Sequence, residues 1–287
     1  MAKKDSLKQQ QFMSFMFRGK EIFKPLNTGH IDERVSCIRE YVANIYFYSK
    51  DGYTIMIDAG YNYDRLAEKM RWLDIRPESI NEIIITHQDT DHVGAIEVDS
   101  QGLFKTAKIY VGRVENEYLE GRVRRKVYWG LYKLPQVHIE NDKTLIEDGE
   151  IFYIHDIKIE AFLVPGHTWG HLVYLIDDAY LFTGDTIWFG ADGGYAFLNT
   201  LAEDRKLQSV SLKRLEEKLR KRNLSLKIIT GHTGWTDDFE FAFRHVDEIC
   251  NALKRKPKVQ DPKAPYDGFD ESGDTEGKAR TVILEKC

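Results

Sequence analysis

A short apolar segment, Ile83–Ile85, is followed at once by two histidines and two aspartates, at positions 87, 89, 91 and 92. Three consecutive β-branched residues predict a buried strand, so the four polar residues fall at its carboxyl end. Open α/β sheets place their ligand sites at that end, and neutral imidazoles and carboxylates are ligands of divalent metal ions. The segment alone is also compatible with a solvated polar turn, so the rest of the chain has to decide.

Three further predicted strands also end in a histidine or an aspartate. The strands over 157–164, 180–182 and 226–229 run into Gly166-His167, Gly184-Asp185 and Gly231-His232. A glycine at such a place lets the backbone turn sharply and leaves room around the next side chain. A single residue of this kind can be an ordinary polar group of a loop. Four separate strand ends with the same residue types indicate one site to which all four contribute.

Strands and helices are mixed along the whole chain. Asp51-Gly52 between the β-rich runs 35–48 and 53–57 is the strongest short signal for a hairpin. Apolar residues at helical spacing predict helices over 64–73, after His92, over 203–219 and over 239–253. Other strands are predicted at 109–111, 144–146, 150–154 and 172–176.

Residues 113–135 combine basic and aromatic side chains, and we predict a helix here. Two interpretations stay open. The basic residues form a solvated face, or they form a lip that recognises an anionic substrate through bidentate arginine contacts. The basic residues are Arg113, Arg122, Arg124, Arg125 and Lys126.

Length and charge set the outer limits. A chain of 287 residues can bury a full core, and a net charge of −5 argues against general binding to nucleic acids or membrane surfaces. The basic start lacks the apolar run of a signal peptide, so we expect a cytoplasmic protein. The three scattered cysteines indicate neither disulfides nor a thiolate metal site. We expect an N-terminal arm (1–20), one domain (21–256) and a polar tail (257–287), and a homo-oligomer stays among the alternatives.

Five motifs, in this order and spacing, resemble the metallo-β-lactamase fold superfamily over about residues 22 to 250. The resemblance implies an α+β fold: an αβ/βα four-layer sandwich, in which two facing mixed β-sheets carry helices on both outer faces and the metals lie at one edge. The motifs are Ile57-Asp58-Ala59-Gly60, Thr86-His87-x-Asp89-x-Asp91-His92-x-Gly94, Pro165-Gly166-His167-Thr168-x-Gly170-His171, Phe182-Thr183-Gly184-Asp185-Thr186 and Thr230-Gly231-His232-Thr233.

The resemblance also implies a ligand set for two divalent metal ions. Two such ions at roughly 3.5–4 Å share a hydroxide and lower the pKa of its water, which makes it a nucleophile. The implied activity is hydrolysis of a small-molecule ester, thioester, lactone or phosphodiester, with Asp91 as the catalytic residue that orients the nucleophile and helps to move its proton. The first ion would be held by His87, Asp89 and His167, the second by Asp91, His92 and His232, and Asp185 would bridge them.

Asp89 departs from the family pattern, which has a histidine at this place. A third carboxylate lowers the net charge of the centre and favours iron or manganese over zinc, so the native metal stays open between them. Flavodiiron proteins have a glutamate there, which makes a diiron oxidoreductase or an oxygen-binding sensor the alternative function. Because aspartate is one methylene shorter, the first site is also open to being weak or empty. A non-catalytic binding module is disfavoured by the intact Asp91, Asp185 and His232.

Residues around the motifs receive supporting roles from the resemblance. Asp58 is expected to hydrogen-bond a ligating histidine, as such histidines usually need a carboxylate partner. His171 is interpreted as a structural or orienting residue. The loops after the metal motifs line the pocket in relatives, which suggests an apolar substrate wall, with ordinary core packing as the equal alternative. The candidates for this wall are Trp169, Trp188, Phe189 and Tyr195.

Overall fold

A computed structural model describes residues 23–249 and 285–286, except 24, 41, 61–62, 98 and 100–101. The predicted N-terminal arm, the end of the predicted domain and nearly all of the predicted tail lie outside the described residues. Helices and strands follow here in chain order. The helices are α1 (Tyr63–Trp72), α2 (Thr90–Glu97), α3 (Arg113–Leu119), α4 (Arg205–Arg220) and α5 (Phe239–Phe243), with 3₁₀ turns at Pro77–Ser79 and Gly184–Thr186. The strands are β1 (Gly29–His30), β2 (Val35–Glu40), β3 (Ala43–Lys50), β4 (Tyr53–Ile57), β5 (Glu82–Ile85), β6 (Lys108–Gly112), β7 (Lys126–Val127), β8 (Tyr132–Lys133), β9 (Lys143–Ile146), β10 (Ile151–Ile154), β11 (Ile157–Leu163), β12 (Leu172–Ile176), β13 (Tyr180–Phe182), β14 (Ile187–Phe189), β15 (Gly194–Ala196), β16 (Lys227–Thr230), β17 (Gly234–Thr236), β18 (His245–Ile249) and β19 (Glu285–Lys286).

The first large sheet has the strand order β1-β2-β3-β4-β5-β6-β9. Its first four strands are antiparallel, and β4, β5, β6 and β9 run parallel. The hairpin between β3 and β4 turns at Asp51 (φ 51°) and Gly52 (φ 82°), the left-handed pair that a two-residue hairpin requires. This predicted hairpin is therefore present. The parallel strands bring the carboxyl end of β5, with the His/Asp cluster behind it, to an open edge of the sheet.

The second large sheet has the order β10-β11-β12-β13-β16-β17. It is antiparallel except between β13 and β16, which run parallel. Since β13 and β16 are parallel neighbours, the residues that follow them emerge at the same edge. Those residues carry the Gly184-Asp185 and Gly231-His232 motifs.

The two large sheets pack face to face. Their inner faces share one buried apolar cluster, which includes Ile57 and Ile84 of the first sheet and Ala161 and Phe182 of the second. The outer face of the first sheet packs against α1 and α2, and the outer face of the second packs against α4. This confirms the four-layer αβ/βα sandwich, because each sheet is apolar on both faces and needs a cover on each.

Two buried tyrosine hydroxyls join the sheets at the edge where the motifs lie. Tyr174 of the second sheet donates to the carbonyl of Ile85 (2.9 Å), and Tyr46 of the first sheet donates to the carbonyl of Thr230 (2.7 Å). A buried tyrosine hydroxyl normally needs such a partner. Each bond ends on a strand residue just before a histidine motif, so the bonds fix the relative position of those motifs.

The prediction of one helix over 113–135 is wrong beyond Leu119. The short helix α3 is followed by the β7–β8 hairpin, whose turn holds Tyr128, Trp129 and Gly130 at φ of 52°, 59° and 82°. Three successive residues in the left-handed region cannot continue a right-handed helix. Strand β19 near the carboxyl end pairs with β8.

Other boundaries also differ from the prediction. The run 35–48 holds two strands, β2 and β3, which pair antiparallel. The predicted helix over 239–253 is one turn, α5, followed by β18, which pairs parallel with β15; residues 250–253 lie outside the description. Pairing with a neighbouring strand here overrides a helical apolar spacing. No helix in the described part of the chain is long and apolar enough to cross a lipid bilayer.

We expect the core face of α4 to carry much of the stability of the second sheet. Leu215 is 2% exposed in the cluster beneath this sheet, whereas Val210 on the same helix is 47% exposed. Leu215→Ala should lower the free energy of unfolding by about 2–5 kcal/mol, because it leaves a cavity. Val210→Ala is the matched control and should change it by less than about 0.5 kcal/mol. Urea unfolding measures both, and equal effects would contradict this packing.

Candidate metal centre

Six side chains that follow four different strands form two adjoining groups of possible metal ligands. In each group, the donor atoms lie within 4.8 Å of one another. His87 follows β5, His167 follows β11, Asp185 lies in the 3₁₀ turn after β13, and His232 follows β16. Asp91 and His92 lie in the first turn of α2, which begins earlier than predicted. The first group is His87, His167 and Asp185, and the second is Asp91, His92 and His232.

Asp185 lies between the two groups. Its Oδ2 is 3.0 Å from Nε2 of His232, 3.6 Å from Nε2 of His167 and 3.8 Å from Nε2 of His87. Its Oδ1 is 3.3 Å from Nε2 of His92. One carboxylate therefore faces histidines of both groups: Oδ2 lies near one histidine of the second group and two of the first, and Oδ1 lies near the other histidine of the second. The resemblance implies that Asp185 bridges two ions, and this role stays a prediction.

The glycine before His232 is required because the Asp185 carboxylate lies close to its backbone. A Cβ at Gly231 would lie 2.6 Å from Oδ1 of Asp185. Any larger side chain would push this carboxylate out of its position between the histidines. The glycine signal in the sequence thus marks the space that the centre needs.

The donor set fits divalent metal ions. Nε2 of His87, Nε2 of His92 and Oδ1 of Asp185 are buried and have no hydrogen-bond partner among the described residues. Such orphaned polar atoms are costly unless something binds them. Burial and the neighbouring His92 hold the pKa of His87 well below its usual value, so its imidazole is neutral, the form that binds metal. Burial raises the pKa of Asp185, yet the charges of His232 and His92 hold it well below the usual range.

Hydrogen bonds orient the histidines of the second group. Oδ2 of Asp58 lies 2.8 Å from Nδ1 of His92, and the carbonyl of Val42 lies 2.6 Å from Nδ1 of His232. Both acceptors hold a proton on Nδ1 and turn Nε2 toward Asp185, the atom through which each ring would bind an ion. Asp58 is itself held by the backbone N–H and the hydroxyl of Thr86, each at 2.8 Å. The expected role of Asp58 agrees with this geometry.

His171 lies behind the centre. Its Nε2 accepts a hydrogen bond from the backbone N–H of Asp185 at 3.1 Å, and its ring stacks on that of His87 with 4.7 Å between centroids. Burial and the nearby His167 hold its pKa well below the usual value, so it is a neutral acceptor. It holds the backbone of Asp185 in place, which agrees with a structural or orienting role.

Asp89 lies beside the first group, but an arginine holds its carboxylate. Nε of Arg125 is 2.9 Å from Oδ1 of Asp89, and Nη2 is 3.2 Å from Oδ2. Oδ2 also lies 3.2 Å from Nε2 of His167 and 3.7 Å from Nε2 of His87. Burial raises the pKa of Asp89, but Arg125 and the histidines hold it well below its usual value. Arg125, one of the basic residues noted in the sequence, is 2% exposed and has no part in a solvated face.

The predicted substrate wall is only partly near the metal centre. Phe189 packs in the core between the second sheet and α4, away from the wall proposed for it. Trp188 and Tyr195 lie in a small buried cluster with Phe23 and Phe197, and Trp169 is 44% exposed.

Two phenylalanines that the sequence did not single out flank the centre. The Phe197 ring lies 5.2 Å from that of His167 and 5.4 Å from that of His232, and the Phe23 ring lies 4.6 Å from that of His232. Neither residue lies in a motif, so no local signal would have identified them.

Comparison with known proteins agrees with this geometry. The sequence model of the Metallo-beta-lactamase superfamily matches residues 38–232, a span that includes all seven predicted ligands, and the chain belongs to this superfamily. It is 29% identical over 150 residues to a probable polyketide biosynthesis zinc-dependent hydrolase, BaeB, of Bacillus velezensis, covering 52% of this chain and 56% of that protein. It is 28% identical over 141 residues to a hydroxyacylglutathione hydrolase of Buchnera aphidicola, covering 48% of this chain and 44% of that protein. The chain thus spans about half the length of these relatives.

Solved structures share the fold. The archaeal superfamily protein ST1585 from Sulfolobus tokodaii superposes with a TM-score of 0.52 at 20% identity, covering 84% of this chain and 93% of that one. The BLEG-1 B3 metallo-beta-lactamase gives a TM-score of 0.54 at 18% identity, covering 70% and 93%. At these identities the likeness concerns the fold alone.

We expect Asp58 to tune metal affinity. Asp58→Asn keeps the size of the side chain but removes the charge that makes the His92 ring a stronger donor. Zinc affinity, measured by competition with a chelator, should fall about 10–100-fold. Asp178→Asn is a matched control, because Asp178 pairs with Lys158 in another part of the fold. Unchanged affinity in Asp58→Asn would contradict this role.

Glu115 predicts a pH dependence of stability. This buried carboxyl accepts bonds from the Gln88 N–H (2.8 Å) and the Thr168 hydroxyl (2.7 Å), and burial raises its pKa from 4.5 to about 8. The folded state therefore keeps a proton that the unfolded state releases, so stability should fall as pH rises from about 4.5 to about 8.

Glu115→Gln tests this contribution, because a glutamine does not ionise. Urea unfolding at about pH 6 and about pH 8.5 should show a smaller loss of stability in the variant than in the wild type. Glu117→Gln, an exposed change on the same helix, should retain the wild-type loss. Identical losses in Glu115→Gln and wild type would refute the raised pKa.

Proposed function

We propose that this protein is a metal-dependent hydrolase that acts on a small-molecule ester, thioester, lactone or phosphodiester. The observation that carries the proposal is the set of buried, unpaired donor atoms of His87, His92 and Asp185, which converge between four strand ends. When bound there, a divalent ion would lower the pKa of a water molecule and polarise the substrate oxygen. The sequence predicts two such ions.

Separate residues would bind the ion and handle the proton of the attacking water. His92 and His232, oriented through their Nδ1 atoms, would hold an ion together with Asp185. The side chain of Asp91 is 29% exposed, the most open of the six possible ligands, and its Oδ2 lies 3.6 Å from Nε2 of His232. Asp91 is therefore the group that reaches arriving water and substrate and that would orient the nucleophile and accept its proton.

The rings of Phe23 and Phe197 supply an apolar flank beside the imidazoles of the site. A dry, apolar surface next to an electrophilic site strengthens its electrostatic interactions and limits the entry of bulk water. The names of the relatives, a zinc-dependent hydrolase and a hydroxyacylglutathione hydrolase, favour zinc and an acyl substrate over the phosphodiester.

Hydrolysis of a panel of acyl and phosphoryl compounds by the zinc-loaded protein tests the proposal. We expect turnover of at least one acyl compound, and a loss of about 10²–10⁴-fold in kcat in Asp185→Asn, because that change removes the charge shared by both donor groups. Asp178→Asn should keep full activity. A zinc-loaded wild type that is inert on the panel, or that equals Asp185→Asn, would refute the proposal.

The alternative, a diiron oxidoreductase or oxygen sensor, was predicted from the extra carboxylate of Asp89. The ion pair of Asp89 with Arg125 weakens the argument for iron, because the arginine already balances the charge of the carboxylate. Elemental analysis of protein purified without oxygen separates the two functions. Bound zinc, with no visible absorption on exposure to air, favours the hydrolase, and bound iron with such absorption favours the alternative.

A further inference from the structure

Arg125 is a buried cation inside the first donor group. Its side chain is among the largest that are fully buried in the described part of the chain, and its Nη2 lies 3.3 Å from Nε2 of His167. Besides its two contacts with Asp89, it donates through Nη1 to the carbonyl of Lys126 (2.8 Å) and through Nη2 to the carbonyl of Leu201. The guanidinium is therefore fixed from three sides, and each of its three nitrogens donates to a group of the protein.

The sequence left open whether Arg125 lies on a solvated face or binds an anionic substrate, and these contacts favour neither role. A guanidinium that recognises an anionic substrate has to present free N–H groups to the pocket. Those of Arg125 are spent on Asp89 and on two backbone carbonyls. The arginine thus acts on the centre itself, by way of the one residue that departs from the family pattern.

The two donor groups stand in different electrostatic surroundings. Around the first, Arg125 neutralises the carboxylate of Asp89 and uses both of its oxygens as hydrogen-bond acceptors. Around the second, the charge of Asp58 and the carbonyl of Val42 face the rings of His92 and His232 and strengthen them as donors. Repulsion between buried cations is poorly screened, so a fixed guanidinium penalises an ion at the first group far more than at the second.

We propose that the guanidinium of Arg125 takes the place of one metal ion, so that the protein holds a single divalent ion, in the second donor group with Asp185. Asp89 and Arg125 then form a matched pair. The carboxylate that replaces the family's histidine brings a negative charge, and the arginine supplies the positive charge that an ion would otherwise provide. The inference deepens the proposed function and rests on it only in assuming that the centre binds metal.

Metal stoichiometry tests the proposal without reference to activity. Full-length protein is loaded with excess zinc, freed of weakly held metal, and measured by elemental analysis. We expect one tightly bound zinc per wild-type chain. Arg125→Met should bind a second zinc at least about tenfold more tightly than wild type, because the buried repulsion is gone. Arg122→Met is the matched control: Arg122 lies in the same segment, pairs with Glu117 at the surface and should leave one zinc.

A second variant covers the case in which Arg125→Met does not fold because Asp89 is left unpaired. The double variant Asp89→His, Arg125→Met removes both charges of the buried pair and restores the family's histidine. It should hold two zinc ions.

The outcomes separate this inference from the proposed function. Two tight zinc ions in the wild type, with unchanged affinity in the Arg125 variants, would overturn the single-ion centre and leave the hydrolase proposal standing. A wild type that binds no zinc, iron or manganese would overturn both. One zinc in the wild type and two in either Arg125 variant would support the replacement of an ion by the arginine.

Discussion

The carboxylate of Asp185 is the point on which the arrangement of the site depends. Its two oxygens lie within 3.8 Å of imidazole nitrogens of four histidines, which come from three motifs. These nitrogens are buried, so their convergence is costly unless the carboxylate or a bound ion is their partner. The backbone of Asp185 is fixed in turn by His171, and Gly231 leaves the space for its side chain. Three separate motifs thus contribute: one supplies the carboxylate of Asp185, one supplies His171, which holds its backbone, and one supplies Gly231, which leaves space for its side chain.

The sandwich supplies the rigidity that such a centre needs. Tyr46 and Tyr174 bond across the two sheets to the carbonyls of Thr230 and Ile85, the last strand residues before two of the motifs. Because these bonds are buried and each hydroxyl has its partner, moving one sheet along the other would leave polar groups unsatisfied. The spacing between the donor groups is therefore a property of sheet packing. The packing of the two sheets therefore determines where the loops with the possible ligands lie.

The family resemblance and the departure from it have different physical meanings here. The predicted ligand motifs are the part of the sequence that resembles the superfamily. Asp89 alone looks like a change of one ligand, with consequences for the kind of metal. Together with Arg125, it adds one negative and one positive charge, which balance each other within the protein. The pair is 36 residues apart in sequence and is buried, so the arginine belongs to the centre as closely as the histidines do.

Much of the fold and of the candidate site follows from the sequence, because both depend on local patterns. β-Branched runs marked the strands, Asp51-Gly52 marked a hairpin, and histidines and aspartates after strand ends marked the donor groups. The errors arose where contacts between distant residues decide the outcome. Residues 245–249 pair with β15 although their apolar spacing is helical, and the turn at 128–130 ends a segment whose composition suits a helix.

The sequence by itself determined which residues are able to bind metal and at which strand ends they lie, because strand periodicity and residue chemistry are local properties. Only the tertiary structure decided what surrounds those residues. It placed Phe23 and Phe197 against the imidazoles and put Phe189 in the core. It also turned Arg125 from one of several basic residues into the partner of Asp89. Burial and charge pairing depend on neighbours that are remote in the chain, and a linear pattern does not record them.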